Sequence, residues 1–164
     1  MHHKRSWSYG PSGLLTSGLL TMGLILVPSA QAKELPNCRQ PKTNLEKSIC
    51  QAAVNCNKPV TQLDMNFCSA WDAEVSDRQL NQVYKQLRQQ NRQFNNQHSK
   101  KRDKYLVDSQ LAWLKYRDTH CQWIASRFDG GSAQPMLYSS CLANITQQRT
   151  NELQAELDVE KSLH

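Results

Sequence analysis

The sequence lacks the short motifs that mark the common redox, haem and metal proteins of the cell envelope. It contains no C-x-x-C and no C-x-x-C-H, which argues against a thiol–disulfide oxidoreductase and against covalent haem. It has no H-E-x-x-H, and its cysteine spacings of 12, 6, 12, 53 and 20 residues lack the close pairs of zinc ribbons. We therefore expect no cofactor and no metal ion.

Features of fibrous, disordered or multidomain chains are also scarce. The 164 residues include only six glycines and six prolines, and 21% charged with 38% hydrophobic residues is typical of a folded protein. No segment alternates apolar and polar residues as a half-buried strand does. The length suits one domain. These observations predict a single all-α domain.

The longest apolar run is too short to cross a membrane. Leu14–Val27 counts 14 residues, whereas a spanning helix needs about 20. It follows Lys4-Arg5 and precedes an A-x-A site ending at Ala32, which is the pattern of a signal peptide cleaved after that residue. Cys38 lacks the small preceding residue of a lipid-attachment site. We expect a secreted or periplasmic protein that is not inserted in the membrane after cleavage, divided into 1–32 signal peptide, 33–58 cysteine-containing arm and 59–164 helical domain.

All six cysteines lie beyond the signal segment. An even number of cysteines behind a signal peptide predicts a disulfide framework. Six cysteines allow 15 connectivities, and we favour the local set because each pair closes a short loop: Cys38–Cys50, Cys56–Cys68 and Cys121–Cys141. The last pair would link two helix ends across a Gly-Gly turn.

Capping signals and hydrophobic periodicity divide the chain into helices. Thr43 with Glu46 reads as a capping box that begins a short helix, and Thr61 reads as the N-cap of a second helix reaching about Gln97. A third helix is predicted from about Ser99 to Phe128, and a fourth from 132–135 to about 163. The prediction is a small disulfide-stapled bundle of three long helices plus a short N-terminal helical arm.

Polar residues interrupt two of the apolar helix faces. Asp77 lies among Leu80 and Tyr84, and Gln110 and Arg117 flank Trp113. Because buried charges are tolerated only when they are paired, we predict an Asp77–Arg117 ion pair, with Gln110 or Asn81 satisfying the remaining groups. Alternatively, Asp77 is a general acid or base in a cleft. No other group suggests catalysis, so we expect no catalytic residues and no enzyme.

An ordered series of motifs resembles a known family. It comprises Thr61-Gln-x-x-Met65-Asn66-x-Cys68, Asp77-x-x-Leu80-Asn81-x-x-Tyr84, Gln110-x-x-Trp113-x-x-Tyr116-Arg117-Asp118-x-x-Cys121, Gly130-Gly131-Ser132-x-x-Pro135-Met136 and Cys141-Leu142-x-x-x-Thr146-x-x-Arg149-x-x-x-Leu153. The series is similar to the lysozyme-inhibitor LprI-like family of exported bacterial proteins, over roughly 55–155. The resemblance implies an all-helical, disulfide-stapled binding protein, with lysozyme inhibition for some members. We interpret its motif residues as mainly structural: cysteines, packed aromatics and a buried ion pair.

The charge of the exported part bears on its partner. Without residues 1–32 the chain keeps eighteen basic and fourteen acidic residues, a net charge of +4. Animal c-type lysozymes are also strongly basic. Because two cationic proteins repel each other, this chain needs a local acidic patch to bind such a lysozyme. Two sets of acidic residues are candidates: Glu152, Glu156, Asp158 and Glu160, or Asp64, Asp72, Glu74 and Asp77. An exported protein rarely meets nucleic acid, so we expect no nucleic-acid partner.

Two functions of different classes follow. The first is a proteinaceous inhibitor of lysozyme or a related muramidase, whose loop of Asp129, Gly130, Gly131 and Ser132 enters the glycan cleft. The second is an envelope structural or adaptor protein that binds peptidoglycan or another anionic surface polymer. An unrecognised hydrolase is a third, without a visible catalytic constellation. The sequence sets no oligomeric state.

Overall fold

The computed structural model describes residues 33–93 and 96–162. These belong to one compact unit, residues 33–164. The predicted signal peptide, 1–32, lies outside the described residues. Within the described part of the chain, no helix is both long enough and apolar enough to cross a membrane.

The described residues form four α-helices and no strand. The helices are α1 (Asn44–Gln51), α2 (Gln62–Gln93), α3 (Gln97–Ala125) and α4 (Gln134–Ser162), and a 3-10 turn, Ser126–Phe128, follows α3. The predicted fold class is confirmed: three long helices form a bundle, and a short helical arm precedes them.

Local side-chain caps set where the helices begin. The Thr43 hydroxyl accepts the Glu46 N–H at 3.1 Å, and Thr61 and Asp64 cap each other reciprocally at the start of α2. Asn96 and Ser99 form the same kind of capping box ahead of α3. This box places the start of α3 at Gln97, two residues before the predicted Ser99. The predicted end at Phe128 was also late, because the chain tightens into the 3-10 turn after Ala125.

The core consists of two apolar clusters along α2. The arm packs on the first part of α2 through a cluster of Ile49, Cys56, Cys68, Trp71 and Val75. The fourth helix packs on the second part through a cluster of Leu80, Val83, Leu87, Leu153 and Leu157. Contact between α2 and α4 is extensive, whereas α2 and α3 touch much less. A groove therefore remains between α2 and α3.

Three disulfides join neighbouring elements. The structure pairs Cys38 with Cys50, Cys56 with Cys68 and Cys121 with Cys141, the local pairs expected from loop length. The first closes the arm, the second ties the segment before α2 to that helix, and the third links the end of α3 to α4. The turn between α3 and α4 is therefore anchored on both sides.

Candidate functional site

The polar residues predicted from the interrupted helix faces converge on Arg117. Its Nη1 donates to Asp77 Oδ1 at 2.7 Å and to the Thr146 hydroxyl at 3.2 Å. Its Nε donates to Asp118 Oδ1 at 2.9 Å. One guanidinium thus joins α2, α3 and α4, and it also lies over the Trp113 ring, 5.2 Å from the ring centroid.

The two partners of the Asp77–Arg117 ion pair are buried to different extents. The Arg117 side chain is 11% exposed, whereas Asp77 is 48% exposed. The hydrogen bonds donated by the Arg117 guanidinium and its contact with the Trp113 ring hold the arginine inside the bundle. The Asp77 carboxylate, in contrast, is partly exposed to solvent. With Asp118, two half-exposed carboxylates surround one buried cation, which leaves a local charge of −1.

Gln110 and Asn81 do not complete this network as predicted. Gln110 Oε1 instead accepts a hydrogen bond from Arg149 Nε at 3.2 Å, and Asn81 is exposed. Gln110 precedes Arg117 by two helical turns, a rise of about 10 Å, so its amide cannot reach the guanidinium. The residue that fills the predicted role is Thr146 of α4, which is almost fully buried.

All four predicted network residues nevertheless line the same space. The groove between α2 and α3 encloses a cavity of about 250 Å³. Its lining is partly polar and mostly apolar, and comprises Asp77, Leu80, Asn81, Tyr84, Val107, Gln110, Leu111, Leu114 and Arg117. Asp77 and Arg117 are the charged residues of this lining.

The predicted target-binding loop lies at one end of the bundle. Asp129, Gly130, Gly131 and Ser132 are all exposed, and the preceding Phe128 is 53% exposed. Gly130 has a φ of +71°, a conformation that glycine adopts without strain. We refer to Ser126–Ser132 as the loop end.

Hydrogen bonds from α2 and α4 hold the loop end. The Gln134 side chain accepts from the Gly130 N–H at 3.1 Å and donates to Asp129 Oδ1 at 3.0 Å. The Asn66 side chain, on α2, donates to the Ser132 carbonyl at 3.1 Å. Together with the Cys121–Cys141 disulfide, these contacts give an exposed loop one preset shape.

Exposed aromatic residues on α3 are a feature that the sequence analysis missed. Tyr105, Tyr116 and Trp123 are 58%, 55% and 61% exposed, and His120 lies between the last two. Tyr116 belongs to a motif whose aromatic residues are mainly expected to be packed, yet its side chain lies in solvent. The signal was the spacing of 11, 4 and 3 residues, which puts all four on one helix face, opposite Leu111 and Leu114.

The described residues offer no ready metal site. Across 33–93 and 96–162, no three His, Cys, Asp or Glu side chains are grouped to hold an ion.

Fold and disulfides together define a class of protein. Disulfides persist in oxidising compartments outside the cytosol, so this is a small all-α extracytoplasmic domain. The family model for the lysozyme inhibitor LprI matches residues 54–153. The chain therefore belongs to the LprI family of lysozyme inhibitors.

A relative and the solved structures add little about the site. The chain is 48% identical over 48 residues to an uncharacterised protein of Rhizobium meliloti (strain 1021), a match that covers 29% of this chain and 34% of the relative. The match thus spans about a third of that relative's length. No solved structure matches the chain significantly.

Proposed function

We propose that this protein is an exported lysozyme inhibitor that works by occlusion. In this proposal the loop end enters the glycan-binding cleft of a lysozyme or related muramidase, while the adjoining helix surface packs around the cleft. Residues 1–32 direct export and are removed, and the arm and helical domain act in the periplasm or outside the cell. Inhibition by occlusion requires no cofactor and no catalytic group.

The observation that carries this proposal is the preset shape of an exposed loop. A loop that must be ordered on binding loses conformational entropy, and that cost lowers affinity. The Gln134 and Asn66 contacts have already ordered the loop end. Such a loop can fill a cleft without a further ordering cost.

The loop end also presents an aromatic ring and one charge of each sign, from Phe128, Asp129 and Arg127. Phe128 offers an exposed aromatic anchor of the kind that dominates protein interfaces. Asp129 accepts a hydrogen bond from Gln134, and no ion pair neutralises it among the described residues. Its carboxylate therefore brings a negative charge to the tip of a basic protein.

Inhibition can be tested by titrating oxidised residues 33–164 into c-type and g-type lysozymes at low and moderate salt. Residual activity should be read on a small soluble glycan, because a basic protein can coat cell walls and mimic inhibition. Stoichiometric loss of activity that resists salt supports the proposal. No loss of activity, with wall binding that salt abolishes, favours the adaptor function.

The role of the loop end has a matched control. Phe128→Ala should weaken inhibition about tenfold, because truncating an interface aromatic removes a dominant contact. Val159 is equally exposed, at 53%, but lies near the far end of α4, so Val159→Ala should inhibit as the unmodified protein does. Equal inhibition by both variants would contradict the loop end as the binding site.

A further inference from the structure

The solvent face of α3 carries a line of rings that lies outside the loop end. This aromatic face consists of Tyr105, Tyr116, His120 and Trp123, and it spans about 27 Å of helix. Monomeric proteins seldom expose aligned aromatic residues without a binding role. No described element covers these side chains, since three of the four are more than half exposed.

The rings are held in place before any ligand arrives. The Tyr116 and His120 ring centroids are 5.4 Å apart, and the His120 and Trp123 centroids are 5.6 Å apart. The Arg127 guanidinium lies 5.6 Å from the Trp123 ring centroid, and the Lys101 ammonium lies 5.6 Å from that of Tyr105. These contacts restrict the side-chain rotamers, so a ligand that stacks on the rings loses less affinity to ordering.

The cations that lie on the aromatic face have no acidic partner among the described residues. Lys101 lies over Tyr105 and Arg127 over Trp123, and neither forms an ion pair there. The nearby carboxylates are neutralised by basic partners, in the pairs Lys104–Asp108, Arg149–Glu152 and Arg102–Glu160. The face therefore presents a net positive charge, which repels a basic lysozyme and attracts an anionic ligand.

We propose that the aromatic face of α3 binds the glycan strand of peptidoglycan. Pyranose rings expose C–H groups on one side, and these stack on the electron-rich faces of aromatic rings. Tyr116 and Trp123 are separated by about 10 Å of helix rise, so successive sugars of an extended strand meet them in turn. The unpaired cations meet the carboxylates of the attached peptide stems. A strand suits a face one helix wide, whereas a globular partner needs a broader patch.

This site lies apart from the groove described above. The groove residues Val107, Leu111 and Leu114 occupy the side of α3 that faces α2, opposite the aromatic face. Binding the wall would hold the protein on the polymer that lysozyme attacks. The inference goes beyond the proposed inhibition and does not depend on it.

The test measures binding of the oxidised protein to purified peptidoglycan, by co-sedimentation with sacculi and by Trp fluorescence with soluble strands. A Tyr116→Ala/Trp123→Ala double variant should lose at least about tenfold in affinity, since each ring is a principal contact. Leu111→Ala is the matched control: Leu111 is 61% exposed, like Trp123, but lies on the other side of α3. It should bind as the unmodified protein does. Far-UV circular dichroism of each variant should match that of the unmodified protein.

Charge and stacking can be separated by a second pair of measurements. Lys101→Gln should weaken binding modestly and reduce its salt dependence, while an uncharged chitin oligosaccharide should still bind through Tyr116 and Trp123, more weakly than peptidoglycan. Equal binding by the double variant and the unmodified protein would overturn the proposal. So would binding that moderate salt abolishes completely, because that is adsorption by charge alone.

The same variants keep this proposal distinct from lysozyme inhibition. The double variant should inhibit lysozyme normally on a small soluble substrate. If it loses inhibition and keeps wall binding, the aromatic face is a protein-binding surface and the glycan proposal is wrong. If the unmodified protein binds the wall but inhibits no lysozyme, the glycan proposal stands and the inhibitor proposal fails.

Discussion

Arg117 is the residue on which three helices depend. Its guanidinium joins Asp77 of α2, Asp118 of its own helix and Thr146 of α4, and it stacks on Trp113. Removing a buried cation of this kind leaves its acceptors without their donor and opens a cavity under the indole ring.

Arg117→Ala should therefore destabilise the protein by ~2 kcal/mol, about the value of one hydrogen bond to a charged group. Asp77→Asn should cost less, because that side chain is half exposed and an amide oxygen can still accept the hydrogen bond. Thermal melts followed by circular dichroism give both values. An unchanged melting temperature for Arg117→Ala would show that the ion pair has no structural role.

Glu46, in the arm, is a second buried charged residue whose hydrogen bonds join separate parts of the chain. Its buried carboxylate accepts backbone N–H bonds from Lys42 and Asn37. The hydrogen bond from Lys42 is the main cause that lowers the pKa of Glu46 below its ordinary value of 4.5; burial opposes it, and the Asn37 and Thr43 backbone bonds and Arg78 reinforce it.

A lowered pKa stabilises the fold above the ordinary value and loses that effect as the pH falls. We expect stability to decline below about pH 4.5 as Glu46 is protonated. Glu46→Gln should destabilise the protein at pH 7, and the difference from the unmodified protein should shrink on acidification. Denaturant unfolding at pH 7, 5 and 3.5 measures this. Glu156 is exposed, so Glu156→Gln should show no such trend, and parallel curves for both variants would refute the assignment.

Among the secondary-structure elements, the junction between α3 and α4 is exposed to solvent and yet is held by a disulfide and by hydrogen bonds. The Cys121–Cys141 disulfide lies between the last residues of α3 and the first turns of α4. The loop end between them is polar and glycine-containing, yet its backbone is hydrogen-bonded at Gly130 and Ser132. The disulfide limits how far the two helices can separate.

Replacing Cys121 and Cys141 together with serine should lower the free energy of unfolding by about 3 kcal/mol, from the chain entropy of the closed loop. The amides of the loop end should also exchange faster with solvent. Removing Cys38 and Cys50 is the control: it should loosen the arm and leave loop-end exchange unchanged. Hydrogen exchange read by mass spectrometry distinguishes the two, and unaltered loop-end exchange in the first variant would show that hydrogen bonds alone order the loop.

At the scale of the whole molecule, charge is distributed as many small pairs. Of the acidic residues suggested as a patch, Glu152 and Glu160 pair with arginines of α4 and α3. Asp72, Glu74 and Asp77 also pair with cations, and Asp64 caps α2. Glu156 and Asp158 are exposed and form no ion pair among the described residues, so these two carboxylates of the first set stay available to a partner. The net charge of +4 on residues 33–164 acts at long range, while exposed carboxylates such as Glu156, Asp158 and Asp129 offer local sites to a basic enzyme.

This charge distribution predicts opposite salt effects for the two proposed partners. Association with a basic lysozyme should become faster from low to moderate salt, because screening weakens the repulsion between two cations. Binding to anionic peptidoglycan should weaken over the same range. Stopped-flow association rates and co-sedimentation give the two trends, and a lysozyme rate that falls with salt would point to attraction by a local negative surface.

Local sequence patterns are enough to predict the helical class and the approximate extent of each helix. Periodicity and capping depend on residues a few positions apart, so Thr43, Thr61 and the Gly-Gly turn could be interpreted without knowing the packing. The Asp77–Arg117 contact could also be predicted, because a charged side chain on an otherwise apolar helix face needs a partner of opposite charge.

Which further side chains meet depends on how the helices pack against one another. Thr146 rather than Gln110 contacts Arg117, because the position of α4 brings one hydroxyl to the guanidinium while Gln110 sits two turns away. Likewise, Tyr116 and Trp123 stay in solvent because α2 and α4 both pack on the other sides of α3. Helical periodicity shows that such residues share a face, but the placement of neighbouring helices determines whether that face is buried.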